Sequence, residues 1–134
     1  MIDHHAALIY TMVLVSAADR EMTDAELQTI GDTVRHLPAF AGYDLNRLTG
    51  TARECAELLN QKNGFDKVID LIVKGLPAKL RETAYALSCD VAAADGSVSQ
   101  EELSLLELLR HRLQVGRLPA AAIERGTRAR YMKP

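Results

Sequence analysis

Apolar residues recur at helical spacing along almost the whole chain. From Ala6 to Ala18 nearly every position is apolar (Leu8, Ile9, Met12, Val13, Val15), which predicts a helix buried on most of its circumference, with Asp3 as its N-cap. A second helix is predicted from Thr23, whose partner Glu26 lies three residues on; Leu27, Ile30, Val34 and Leu37 form its apolar stripe and Pro38 ends it. Asp44 is read as the cap of a third helix through Leu48, Ala52, Cys55 and Leu59, stopped by Asn63-Gly64. Phe65 to Lys74 reads as a fourth helix with Gly75 at C′, and Pro77 suits the first turn of a fifth through Leu80, Ala84, Leu87, Val91 and Ala94. Ser99 opens a sixth, rich in Leu and closed by Gly116, and Pro119 to about Tyr131 has enough Ala for a last one. No segment alternates with period two. The pattern predicts an all-α fold of six or seven helices.

Two stretches match without a gap. Ala17-Ala18-Asp19-Arg20-Glu21-Met22-Thr23-Asp24-Ala25-Glu26-Leu27 lies over Ala93-Ala94-Asp95-Gly96-Ser97-Val98-Ser99-Gln100-Glu101-Glu102-Leu103 at an offset of 76 residues. Each reads as the end of one helix, a tight link and a capping box that starts the next, with Val98 expected to be buried. The duplication predicts two pseudo-twofold-related helix pairs in one domain.

A chain of 134 residues fits one domain. Aromatic residues are only 4%, so its core must be built from Leu, Ile, Val, Met and Ala, a palette that favours helices. Charge divides the chain unevenly. Eleven basic residues face seventeen acidic ones through Gly116, but five face one from Arg117 to Pro134. We therefore read residues 1–116 as the helical domain and 117–134 as a basic C-terminal tail with a short helix, able to touch an acidic partner or its own domain. An acidic body excludes the basic face of a nucleic-acid binder. The start, with Asp and two His, is not a signal peptide, and no apolar run is long enough to span a membrane, so a cytoplasmic protein is expected. His4 and His5 are expected at a frayed, solvated start.

Motifs for catalysis are missing. The chain has no G-x-S-x-G, P-loop or G-x-G-x-x-G, and no histidine pair at zinc spacing. Cys55 and Cys89 lack C-x-x-C spacing and read as buried free thiols. A thiol-based redox enzyme would need one of them exposed with a depressed pKa. The expectation is a protein that is not an enzyme.

The two Ala-Asp-x-x-hydrophobic-Ser/Thr-x-x-Glu joints resemble the TerB-like family of bacterial tellurite-resistance proteins, over roughly residues 5–115. Asp95 to Glu102 fits the family pattern throughout; the first joint departs from it at Arg20, where the family usually has Gly. The resemblance implies a single compact all-helical domain with this internal repeat, acting in tellurite, metal or general stress response.

Asp19, Glu26, Asp95 and Glu102 are the candidate metal ligands. Four carboxylates drawn to one region need a cation to offset their repulsion, and hard oxygen donors suit Ca²⁺, Mg²⁺ or Mn²⁺ better than Zn²⁺. The resemblance points to the same four positions. Glu21, Asp24, Asp90 and Glu101 are candidates for added charge or outer-sphere contacts. An EF-hand is excluded because Gly96 follows Asp95 immediately. A competing reading makes the acidic joints helix caps only, in a module for an unidentified protein partner or a homodimer. Leu103 and Leu106 together with Leu105, Leu108 and Leu109 exceed what one buried face of the sixth helix needs.

Overall fold

A computed structural model describes residues 1–18, 22–94 and 96–134. Among them are seven α-helices and no strand: α1 (His4–Ser16), α2 (Asp24–His36), α3 (Leu48–Leu59), α4 (Gly64–Gly75), α5 (Arg81–Ala93), α6 (Gln100–Arg112) and α7 (Arg117–Arg130). Short 3-10 turns precede α3 and α5 and follow α2.

The helix with the least polar sequence takes the centre. Every residue of α1 from Ala7 to Ser16 is buried, and α3, α4 and α5 pack around it. The buried hydroxyl of Thr11 donates to the Ala7 carbonyl one turn back at 2.7 Å, which satisfies it without a partner from another helix. Asp3 caps the helix as expected, accepting from the Ala6 N–H at 2.8 Å. The second hub is α5, which touches α1, α2, α6 and α7. The start of α1 is not frayed. His5 stacks on Phe40 with ring centroids 5.7 Å apart and meets Tyr43 edge-on at 5.1 Å, and burial lowers its pKa from the ordinary histidine value.

Several boundaries differ from the sequence reading, each for a local reason. Asp44 caps the 3-10 turn Leu45–Arg47 through the Asn46 N–H, and α3 continues from that turn. Pro77 likewise precedes the turn Ala78–Leu80, so α5 starts at Arg81. Gly75 is the last residue of α4 rather than its C′. Gln114, with φ 58°, takes the left-handed position after α6, while Gly116 is extended and caps α7. Pro119 therefore sits inside the first turn of α7, where a missing N–H costs nothing.

Residues 117–130 form a fourteen-residue helix that lies against α5. The Tyr85 hydroxyl donates to Glu124 at 2.6 Å, and burial together with that carboxylate raises the phenol's pKa. Further on, Arg130 donates to Asp90 at 2.6 Å and Thr127 donates to the same carboxylate oxygen at 3.3 Å. Elsewhere Arg112 of α6 pairs with Asp70 of α4 at 2.6 Å. No helix among the described residues is long and apolar enough to cross a membrane.

Candidate functional site

The two acidic joints begin where α1 and α5 end. Helices α2 and α6, thirteen residues each and 76 residues apart, both open on a complete capping box. In the first, the Glu26 N–H donates to the Thr23 hydroxyl at 3.1 Å and the Thr23 N–H donates to Glu26 Oε1 at 2.9 Å. In the second, the Glu102 N–H donates to Ser99 at 3.1 Å and the Ser99 N–H to Glu102 Oε1 at 3.0 Å. Two sequence signatures thus become two matching geometries.

Burial separates these glutamates from their neighbours. Glu26 is 1% exposed and Glu102 2%, and they are the only buried charged side chains among the described residues. Asp24 and Glu101, in the same first turns, are exposed. A capping box needs no burial, because it uses one carboxylate oxygen and works equally well at a surface. Taking a carboxylate out of water is costly unless its charge is compensated. The positive ends of α2 and α6 supply part of that compensation.

Asp19 and Asp95, the other two candidate ligands, lie outside the described residues, as do Arg20 and Glu21. Among the described residues no three His, Cys, Asp or Glu side chains converge as metal ligands. Gly96 has φ +85° and its N–H donates to the Ala93 carbonyl at 3.0 Å, so the second joint turns through the conformation that glycine favours. Asp90 is engaged elsewhere, by Arg130 and Thr127.

The expected burial of Val98 is corrected. It is 40% exposed, and its counterpart Met22 is 37% exposed. Both hold the position just before the cap, and Leu27 and Leu103, also exposed, hold the fourth helical position. Those are the two places of a hydrophobic staple, whose members cover one another at the surface and fix the chain's entry into the helix. The leucines of α6 divide: Leu105 and Leu109 are buried, and Leu103 and Leu108 are exposed.

Leu108 lines an open groove of about 890 Å³ with Leu14, Leu59, Phe65 and Leu105, and Glu101 stands among them. Both thiols are buried, Cys55 and Cys89 alike, and burial pushes each pKa up to about 12. That is the opposite of the depressed pKa a thiol catalyst requires.

Sequence reasoning missed one basic residue at the second joint. Lys133, three residues beyond the end of α7, returns to Gly96: a Cβ built on that glycine would stand 2.8 Å from Lys133 Nζ and 3.1 Å from its Cε. The only forewarning was the basic charge of the tail.

The sequence that builds this all-helical domain, with its paired capped joints, also matches a family model. That model, described as tellurite resistance protein TerB, covers residues 5–124, and the chain belongs to the TerB family. No curated protein and no solved structure matches the chain.

Proposed function

We propose that this TerB-family domain binds one divalent cation across its two acidic joints and acts, without catalysis, in a tellurite, metal or general stress response. Asp19, Glu26, Asp95 and Glu102 are the proposed ligands, with Ca²⁺, Mg²⁺ or Mn²⁺ as the ion. The observation that carries the reading is the burial of Glu26 and Glu102, alone among charged side chains of the described residues, at positions related by the 76-residue offset. Hard carboxylate oxygens fit these ions, and the two glutamates place such oxygens at corresponding points of the two joints. The TerB family is generally not a family of catalysts, and the two thiols sit in the wrong environment for one.

The apolar groove of Leu14, Leu59, Phe65 and Leu108 favours a second reading, in which the same domain is a protein-interaction module and its joints serve only as caps. Thermal melts of metal-stripped protein with Ca²⁺, Mg²⁺, Mn²⁺ and Zn²⁺ separate the two. An ion at 100 times its Kd stabilises the native state by about 2.7 kcal/mol, a rise of several degrees in a domain of this size. The expected result is such a rise with a hard cation, absent in Asp95→Asn/Glu102→Gln. A wild-type melt that no ion moves would leave the interaction reading standing.

A further inference from the structure

We infer that the segment after α7 is a built-in competitor for the cation, with the Lys133 ammonium taking up the charge and space at the second joint when no ion is bound. The inference rests on the cation-binding reading and deepens it to the regulation of that site.

The end of α7 is held firmly where the competition would occur. Arg130 and Thr127 both donate to Asp90 near the end of α5, and the Tyr131 N–H continues the helix with a 3.1 Å bond to the Thr127 carbonyl. The end of α7 is therefore tied to α5, which leads into the second joint. Tyr131 itself is half-buried. Two residues further on, Lys133 Nζ lies directly over Gly96. Gly96 follows Asp95 in sequence and stands three residues before the Ser99 cap.

Charge and chain chemistry agree with this placement. The last eighteen residues carry five basic groups against one acidic, and the preceding body is acidic. An ammonium on a flexible four-carbon stem is a compact point charge, strongly hydrated and easily released to water. It can therefore neutralise a carboxylate-rich turn reversibly, where a guanidinium clamped in two bonds would be slow to leave. The first joint carries its own basic residue, Arg20, in the position that corresponds to Gly96. One joint thus has its cationic side chain by sequence and the other by the fold of the tail.

Calorimetric titration of full-length, metal-stripped protein with Mn²⁺ and Ca²⁺ salts at low ionic strength tests this, comparing wild type with Lys133→Gln and with Arg117→Gln. The second variant removes the same charge about 20 Å away, at the opposite end of α7. The expected result is a Kd about three- to fivefold tighter for Lys133→Gln, the effect an exposed charge supports, and little change for Arg117→Gln. As a second readout, labelling of the Lys133 amine by an acylating reagent, normalised to Lys74, should quicken when the cation saturates the protein. Equal affinities for wild type and Lys133→Gln, with binding intact, overturn the competition and leave the cation reading in place. Absence of binding in all three proteins overturns both.

Discussion

Gly64→Ala should cost the fold about 3 kcal/mol or more, at or above the upper end of ordinary overpacking. Gly64 opens α4 directly behind Asn63, whose φ of +58° turns the chain sharply after α3. A Cβ at Gly64 would stand 2.0 Å from the Leu58 carbonyl oxygen and 2.8 Å from that of Leu59. Both are backbone atoms of α3's last turn, so no side chain can rotate to make room. Relief requires α3 and α4 to separate, and both pack on α1 at the centre of the molecule. Against a total stability of about 5–15 kcal/mol for a domain, such a loss is large. Gly50→Ala is the control: nothing lies within 4 Å of its Cβ, the residue is exposed within α3, and a gain of about 0.4–1 kcal/mol is expected from Ala there. Urea unfolding of the two variants checks both signs.

Truncating the buried glutamates is the second large effect, and it should be nearly the same at both joints. Glu26→Ala or Glu102→Ala removes the acceptor from the Thr23 or Ser99 N–H and empties a buried volume. We expect a loss of about 1–3 kcal/mol from each in metal-free protein. The exposed neighbours Asp24 and Glu101 should tolerate alanine within about 0.5 kcal/mol. Glutamine separates the cap from the charge. Glu26→Gln and Glu102→Gln keep an amide oxygen where Oε1 accepts, so the metal-free fold should survive while the response to cations is lost. Comparing Ala with Gln at each position by denaturant unfolding and by melts with added cation thus measures the cap and the ligand independently.

The sequence was most legible where one residue's side chain decides the local backbone. Thr23 with Glu26 and Ser99 with Glu102 announced both capping boxes, and α2 and α6 start at the residue after each cap. The continuous apolar run of α1 announced its central place, since a helix without a polar face has to be surrounded. Legibility failed where packing or short-range geometry chose among equal options. Gly116 looked like the stop of α6, but Gln114 accepts the left-handed turn and frees Gly116 to cap α7. Val98 looked buried because it is apolar, although its place before the cap makes it half of a surface staple. The candidate ligands divided along the same line. The capping roles of the two glutamates were legible from spacing, but their burial was not, because a capping box is compatible with either exposure. Lys133 was invisible, since only the docking of α7 on α5 brings the tail to Gly96.

The central claim is that both joints hold a single ion, and the stoichiometry of binding tests it most directly. Titrating metal-stripped protein with Mn²⁺, and separately with Ca²⁺ and Mg²⁺, should give one ion per chain for at least one of these cations. Binding should be lost in Glu26→Gln and equally in Glu102→Gln, although the two residues belong to different joints. One ion per joint, each lost independently, or no binding at all would contradict the account.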